Sequence, residues 1–237
     1  MKPYHPMDFT DDLDEELPQD SLGRKGASTR SRLLESARRL LSERSAVGMT
    51  SSAIAQGAGV SAASFYNYFA NVEAIIHALC IEAIAEKNSI VDAARLQPGD
   101  DVRAVARRVV EAYREHWRTF RPILSVCNME ADRDNTAFQL LRRSFINTII
   151  DSLVEVVLTF QQTAPDNATE VLGGRIAVAV AAIERLAPTE GLYLDEPNRY
   201  RRFSQDLIRN AQIDLLASAL DPSTRPDRYS DLAVPRK

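Results

Sequence analysis

Cysteine, histidine and glycine are scarce in this chain, and the shortage of cysteine excludes a disulfide-rich protein. The 237 residues include two cysteines, three histidines, nine glycines and eleven prolines. Cys80 and Cys127 form no CxxC spacing, so the sequence predicts neither a disulfide framework nor a zinc site, and a reducing cytoplasm suits this composition. We therefore expect no metal and no other cofactor.

Long apolar runs are lacking as well. No stretch of eighteen apolar residues occurs, and the start of the chain has no apolar core followed by a small-residue cleavage site. We expect neither a membrane span nor a secretory signal. The catalytic patterns GxSxG, HExxH and the P-loop do not occur either, so the sequence does not predict an enzyme.

The distribution of apolar residues indicates an all-α fold. Stretches rich in Ala, Leu, Ile, Val, Arg and Glu recur about every twenty residues, and no run alternates strictly enough to predict a strand. We predict about nine helices: one beginning near residue 28, short helices after Thr50 and Ser61, and others at 72–95, 100–118, 122–133, 135–161, 168–186 and 199–220. Pro122 is expected to begin the sixth, because its missing N–H costs nothing there.

Charge of both signs is absent from Ser45 to Val72, and the flanking charge is uneven. Residues 1–20 hold one Lys against seven acids, whereas residues 21–80 hold seven Arg and Lys against three Glu. The net charge of −4 therefore conceals a basic segment behind an acidic one. A concentrated basic segment is typical of proteins that bind nucleic acid.

The chain is predicted to have four parts. Residues 1–22 form an acidic, flexible tail, which we interpret as a solvated arm, and residues 222–237 form a loose carboxy-terminal tail. Residues 23–72 form a helix-turn-helix domain, and residues 73–221 form a larger helical domain.

Residues 54–69, IAQGAGVSAASFYNYF, have the spacing of a helix-turn-helix. Gly59 supplies the turn, since glycine adopts positive φ freely, and Ser61 begins the following short helix. Phe65 and Phe69 are predicted to be core residues that seat this second helix. Upstream, an apolar stripe at helical spacing is formed by Leu33, Leu34, Ala37, Leu40 and Leu41.

These motifs, with Arg30-x-x-Leu33-Leu34 upstream and the Phe-Tyr-Asn-Tyr-Phe run, resemble the amino-terminal domain of the tetracycline-repressor (TetR) family of transcriptional regulators. The resemblance covers about residues 28 to 80. It implies a homodimer that binds a pseudopalindromic double-stranded DNA operator and responds to a small-molecule effector. In the leading hypothesis the protein is a repressor that the effector releases from DNA.

An uncharged segment can bind phosphate, because the helix amino-termini that Thr50, Ser61 and Asn71 are predicted to cap carry partial positive charge and N–H groups without intrahelical partners. Asn67 is suited to an adenine edge, and the alanine methyl groups suit a thymine methyl. The predicted DNA contacts are Arg30, Thr50, Ser51, Ser61, Ala62, Ala63, Ser64, Tyr66, Asn67, Tyr68 and Asn71. Long-range attraction is expected from Arg24, Lys25, Arg30 and Arg32.

Two departures from the family pattern keep a second function open. Ala62 replaces a frequent Lys or Arg, and Val72 falls where a Lys often contacts phosphate. The alternative is a ligand-binding module of the same fold with weakened or lost operator binding. Single residues also have plainer alternatives, in which Tyr66 or Tyr68 packs in the core and Asn67 faces solvent.

The resemblance implies that the larger domain dimerises and holds the effector. The predicted interface joins a Gly/Ala face to an apolar stripe on the last two helices; it comprises Gly174, Ala177, Ala181, Phe203, Leu207, Ala211 and Leu215. Aromatic and adaptable side chains predict a pocket for an apolar or aromatic effector; they are Tyr113, Trp117, Phe120, Cys127, Phe138 and Phe145. The competing interpretation for every one of these residues is ordinary packing within one subunit.

Overall fold

The computed structural model describes residues 23–44, 48–160, 168–187 and 204–221. These residues form nine α-helices and no strand, so the all-α prediction is confirmed. The helices are α1 (Arg24–Arg44), α2 (Ser51–Gly57), α3 (Ala62–Phe65), α4 (Val72–Ala85), α5 (Asn88–Ala94), α6 (Val102–Asp132), α7 (Thr136–Phe160), α8 (Ala168–Leu186) and α9 (Gln205–Leu220). Both predicted tails, 1–22 and 222–237, lie outside the described residues.

The chain divides into two compact units. One unit contains the described residues up to Lys87 together with Thr119–Phe145, and the other contains Asn88–Arg118 and the described residues from Ile146 onward. The helix-turn-helix therefore shares its unit with α4 and with parts of α6 and α7. The predicted boundary at residue 72, which separates a DNA-binding part from a larger ligand-binding and dimerisation part, stays a prediction. None of the described helices is long and apolar enough to cross a membrane.

The core of the first unit forms where the apolar faces of α1, α2, α3 and α4 meet. Leu33, Ile54 and Phe65 are fully buried, and complete burial of such a side chain contributes about 1.5 to 3 kcal/mol. The predicted stripe on α1 is confirmed, with only its member Leu40 left half-buried.

A polar contact fixes the crossing of α1 and α2. The buried Ser36 hydroxyl donates to the carbonyl oxygen of Ile54 at 2.8 Å. A Cβ at Gly57 would overlap Ser36 Oγ and approach Arg39 Nη2 to 2.9 Å. The two helices therefore reach this separation because residue 57 has no side chain.

The predicted fourth helix is interrupted. A single helix to residue 95 was predicted, but α4 ends at Ala85 and α5 begins at Asn88. The Lys87 N–H donates to the carbonyl of Ile84 at 3.1 Å, an i to i−3 bond typical of a helix end. No Gly or Pro marks this position, so the sequence carries no signal for the break.

The prediction that Pro122 begins a helix is wrong. α6 runs without interruption from Val102 to Asp132 and contains Pro122 in its interior. A proline there removes one helical N–H and costs about 3 kcal/mol. The apolar face continues past it, with Trp117 buried before it and Leu124 and Cys127 buried after it, and this burial offsets the cost.

In the second unit, arginine side chains hold α9. α8 packs along α9, and Arg175 donates to the carbonyl of Ser218, in the last turn of α9, where carbonyls lack helical partners. Arg103 of α6 pairs with Asp214, and Arg114 donates to Gln212 Oε1 at 3.4 Å. These contacts fix which face of α9 is turned to solvent.

Candidate nucleic-acid interface

The three predicted helix caps are confirmed. Their side-chain oxygens accept from backbone N–H groups three residues on: Thr50 Oγ1 from Ala53 at 3.1 Å, Ser61 Oγ from Ser64 at 3.1 Å, and Asn71 Oδ1 from Ala74 at 2.8 Å. Each cap satisfies one of the amide groups that a helix start leaves without an intrahelical partner.

The turn between α2 and α3 is held by a residue that the sequence did not assign to it. Gly59 has φ of 65°, as predicted for the turn. The Arg32 guanidinium donates to the carbonyls of Ala58 and, at 3.1 Å, Gly59. Carbonyls at a helix end carry partial negative charge, so a cation is favourable there. Arg32, expected to attract DNA at long range, is thus engaged at the turn.

Two buried phenylalanines seat the recognition segment, the name we give to α3 with its cap and the turn that follows it (residues 61–69), as predicted. Phe65 is 0% exposed and Phe69 is 2% exposed, with their ring centroids 5.9 Å apart. The helix itself is short and continues as a turn, in which the N–H groups of Tyr68 and Phe69 donate to the carbonyl of Phe65 at 3.0 and 3.1 Å. This core fixes the orientation of the outward side chains.

Most predicted DNA contacts are at the surface. Those exposed are Thr50, Ser61, Ala62, Ala63, Tyr66, Asn67 and Asn71, while Arg30, Ser51, Ser64 and Tyr68 are half-buried. Tyr66 is 58% exposed, and its hydroxyl lies 2.9 Å from Ser51 Oγ, which joins α2 to the end of the recognition segment. A second hydroxyl pair, Ser61 and Ser64, is separated by 2.8 Å. Each pair retains hydrogen-bonding capacity for an outside group.

The cations of this unit are concentrated on α1, which has seven Arg and Lys against two Glu. Arg24 and Lys25 are exposed in its first turn. The Arg30 guanidinium carbon lies 5.3 Å from the centre of the Phe69 ring. Arg38 pairs with Glu35 at 2.6 Å and with Glu82 of α4 at 2.8 Å.

A cleft of about 400 Å³ runs beside α1. Its lining comprises Ala27, Arg30, Ser31, Leu34, Glu35, Arg38 and Glu82. The cleft therefore begins one turn from the start of α1 and ends at the ion pairs with Glu35 and Glu82. Its two ends differ in charge, because Arg38 is neutralised at the far end while Arg24 and Lys25 stand near the other.

The sequence pattern did not predict a hydrogen bond that forms at the start of α4. Asn135 Nδ2 donates to Glu73 Oε1 at 2.7 Å, and Glu73 lies in the first turn of α4. Asp134, which precedes Asn135, has φ of 63°, a left-handed value that Asp adopts more readily than most residues other than glycine. This turn between α6 and α7 is thereby tied to the helix that follows the recognition segment.

The six predicted ligand residues are divided between the two units. Tyr113 and Trp117 are buried in the second unit; Cys127, Phe138 and Phe145 are buried in the first, where Phe120 is half-buried. Burial suits a core as well as a pocket, so the assignment stays a prediction. No cluster of three or more His, Cys, Asp or Glu able to hold a metal occurs among the described residues.

Buried titratable groups in the larger domain are held neutral. Burial lowers the pKa of His116 to about 4, and burial together with the charge of Glu184 raises the pKa of the Tyr113 phenol well above its ordinary value. The neighbouring Cys127 thiol and burial likewise raise the pKa of Cys80. At neutral pH these side chains therefore act as hydrogen-bonding groups rather than as charges.

The predicted dimer residues lie on the outer faces of α8 and α9. Gly174, Ala181, Leu207, Ala211 and Leu215 are exposed and Ala177 is half-buried, whereas Phe203 lies outside the described residues. Leu207 is 54% exposed, and the nearby Val178 is 68% exposed. Large apolar side chains at such exposure are suited to a partner surface. The interface itself stays a prediction.

Comparison with known proteins agrees with this arrangement of helices. Residues 33–79 match the family model of bacterial regulatory proteins of the tetR family. No curated protein matches the chain. A tetR-family transcriptional regulator from Streptomyces coelicolor is 18% identical over 81% of each chain, with a TM-score of 0.57.

Two further solved structures are regulators named FadR. The fatty acid degradation regulator from Bacillus halodurans is 15% identical over 86% of this chain and 98% of its own, with a TM-score of 0.55. The repressor from Thermus thermophilus, solved with lauroyl-CoA, is 19% identical over 81% of this chain and 93% of its own, with a TM-score of 0.52. These likenesses show the fold. The family model covers the helix-turn-helix, so residues 33–79 are similar to the corresponding segment of bacterial regulatory proteins of the tetR family.

Proposed function

We propose that this protein is a homodimeric transcriptional repressor that binds a pseudopalindromic operator through α2 and α3 and leaves it when a small apolar effector binds. The observation that carries the proposal is the outward polar surface on a rigid base. Ser61, Tyr66 and Asn67 are exposed, while Phe65 and Phe69 beside them are buried. Side chains fixed in this way can enter a groove without reorganising.

Phosphate contacts and base reading are divided among different residues in this proposal. Most hydrogen bonds to DNA go to phosphate and position the protein, and the hydroxyl groups of Ser61 and Tyr66 serve that purpose without charge. Ala63 of α3 and Asn67 of the turn that follows it are both exposed, and in this proposal the methyl group and the amide reach base edges. Arg24 and Lys25 supply the attraction that brings DNA to this surface.

Dimerisation through α8 and α9 places two recognition segments on one operator. Half-sites read by such dimers are about one helical turn of DNA, roughly 34 Å, apart. The exposed small and apolar side chains of α8 and α9, among them Ala181 and Leu207, support this interface. A two-fold contact buries the same surface of both copies.

The effector is proposed to bind in the larger domain, residues 73–221. The supply of buried aromatic side chains, including Tyr113, Trp117 and Phe138, supports a ligand that is largely apolar. A repressor with this fold, FadR from Thermus thermophilus, was solved with lauroyl-CoA, whose acyl chain is of that kind. The effector acts by binding more tightly to a dimer geometry that no longer matches the two half-sites.

The second candidate function is a ligand-binding module with weakened operator binding. The absence of Asp, Glu, Lys and Arg from residues 45–72 favours it, together with Ala62 at a position where the family often has a cation. The two functions differ in one measurable property, which is sequence-specific affinity for DNA.

Selection of bound duplexes from random fragments separates the two functions. We expect an enriched palindrome that the purified protein binds and that lauroyl-CoA or another acyl-CoA releases. The matched control is Ala63→Glu, which places a negative charge on the exposed surface without disturbing the core and should abolish enrichment. If no sequence is enriched while acyl-CoA still raises the melting temperature, the ligand-binding module is the correct function.

A further inference from the structure

The two most unevenly charged segments of the chain adjoin each other. Residues 1–20 carry one Lys and seven acids, and α1, which begins at Arg24, carries seven Arg and Lys and two Glu. No charged residue follows α1 until Glu73, since residues 45–72 are neutral. The cations available to attract DNA are therefore those that stand closest to the acidic segment.

We propose that residues 1–22 bind back onto α1, at Arg24, Lys25 and the adjoining end of the cleft, and so compete with DNA phosphate. The interaction surface is the exposed side of α1, and its occupant is this chain's own acidic tail. The effect on DNA rests on the proposed function, whereas the docking itself does not.

The charges along α1 determine which end of the cleft the tail occupies. Arg24 and Lys25 are exposed, and neither forms an ion pair with an acid of the described residues. At the other end Arg38 is held by Glu35 and Glu82, two carboxylates that repel further acids. Opposite charges attract within a Debye length of about 8 to 10 Å at physiological salt. The acids of the tail are therefore drawn to the amino-terminal half of α1.

The tail is long enough to reach this surface. It joins the described chain at Gly23, one residue before α1, and an extended chain advances about 3.3 to 3.6 Å per residue. The cleft spans Ala27 to Arg38, roughly 17 Å of helix at 1.5 Å per residue. Phe9, Leu13 and Leu17 alternate with the acids and supply apolar side chains for the cleft beside Leu34.

Docking of this kind is weak for each contact and is favoured by tethering. Ion pairs at a surface are individually weak and screened by salt. A segment tethered to its binding surface through its own chain acts at an effective concentration in the millimolar range, so several weak pairs are enough to keep α1 occupied. DNA is a denser polyanion and displaces the tail. The affinity of the protein for DNA is lowered, because the tail must first be released.

Salt dependence distinguishes the docked tail from a free one. Binding of DNA weakens with salt at a slope of about 0.9 for each phosphate neutralised by a cation. Cations that the tail already neutralises release fewer counterions, so docking lowers both affinity and slope. Freeing α1 should raise DNA affinity at about 50 mM salt by roughly threefold or more, with the curves converging near about 200 mM.

The first experiment neutralises the tail in the full chain. Asp11→Asn, Asp12→Asn, Asp14→Asn, Glu15→Gln and Glu16→Gln preserve its length, and a labelled duplex without an operator is titrated at several salt concentrations. We expect higher affinity at low salt and a steeper slope than in the wild type. The control is Glu111→Gln with Glu155→Gln, two exposed acids of the second unit, which should change neither property. Equal curves for the wild type and the neutralised tail would overturn the proposal.

The second experiment needs no DNA. The full chain with the neutralised tail is titrated up to millimolar concentration, the range that tethering provides, against a trace of a fluorescent peptide of residues 1–22, and the anisotropy of the peptide is followed. Binding should occur at low salt, disappear with Arg24→Ala and Lys25→Ala, and survive Arg118→Ala, an exposed arginine of the second unit. If tail neutralisation raises DNA affinity but the peptide does not bind, long-range repulsion is responsible and the docking is refuted. If the peptide binds while no DNA does, the docking holds and the proposed function fails.

Discussion

Asn67 is the residue on which base reading depends in the proposed function. Its side chain is exposed next to the buried Phe65 and Phe69, so replacement by alanine leaves the core intact. We expect Asn67→Ala to lose about 1 to 3 kcal/mol of binding on the preferred operator and to relax preference at one base pair. Competition titrations with operators substituted at each position measure this. An equal loss on every sequence would indicate that Asn67 contacts phosphate.

His116 makes the stability of the folded chain sensitive to acid. Burial lowers its pKa to about 4, whereas an unfolded chain has a histidine pKa near 6.5. Between these values the unfolded state binds a proton that the folded state does not, so the free energy of unfolding decreases as pH falls from about 6.5 to about 4.

We expect His116→Gln to reduce this acid sensitivity by about 1 to 2 kcal/mol, after allowing for solvent screening. Urea unfolding of wild type and variant at a series of pH values measures it. Above about pH 7 the two proteins should differ by a constant amount. A nuclear magnetic resonance titration that gives His116 an ordinary pKa would contradict the explanation.

Single-residue predictions from the sequence succeeded where the partner is a near neighbour. The caps at Thr50, Ser61 and Asn71 bind amides three residues away, so the local sequence contains the whole interaction. Arg32 and Ser36 instead bind carbonyls at a separation of 26 and 18 residues, which the sequence pattern does not reveal. The half-burial of Tyr68 has the same origin, since its surroundings come from the folded unit.

Whole helices were predicted by apolar periodicity, and the errors concern where they end. Pro122 is a local signal for a helix start, but burial on both sides of it keeps α6 continuous. The end of α4 at Ala85 has no local signal at all, because no Gly or Pro is present and a tighter backbone bond marks the position. Packing determined both outcomes, and a single sequence does not specify it.

The crossing of α1 and α2 can be tested by a double-mutant cycle. A methyl group at Gly57 overlaps Ser36 Oγ, so Gly57→Ala should destabilise the fold by about 1 to 3 kcal/mol. Ser36→Ala should also cost about 1 kcal/mol, since it removes the hydrogen bond to Ile54. The double variant should be more stable than the sum predicts, because the Ser36 Cβ would lie 3.4 Å from the new methyl group.

Thermal and urea unfolding of the four proteins give the coupling energy. A control cycle combines Ser36→Ala with Gly174→Ala. It is expected to be additive, because a Cβ at Gly174 has no neighbour within 4 Å among the described residues. Additivity in the Ser36 and Gly57 cycle would show that the helices separate to relieve the overlap.

At the scale of the whole molecule, the proposed dimer depends on small side chains in a close helix contact. Ala181 is exposed on α8, and a bulky charge there has no room in a two-fold interface. We expect Ala181→Arg to yield folded monomers whose operator affinity is far below that of the wild type. Sedimentation measures the mass, and circular dichroism confirms that the helices are retained.

The matched control is Asn147→Arg, which adds the same charge at an exposed position of α7. This variant should remain dimeric. A dimeric Ala181→Arg protein would place the interface elsewhere. The exposed Leu207 and Leu215 of α9 would then need another explanation.

The neutral segment that contains the recognition surface also restricts which enzymes can act on it. Neither Lys nor Arg occurs between Arg44 and Lys87, so trypsin releases the helix-turn-helix motif and α4 intact as residues 45–87. Lysine acetylation, which weakens DNA contacts elsewhere by removing charge, has no acceptor in that span. The proposed operator binding by this surface would therefore be insensitive to lysine acetylation within it, and the hydroxyl groups of Ser61, Ser64 and Tyr66 are among the positions where a phosphate would oppose binding to DNA.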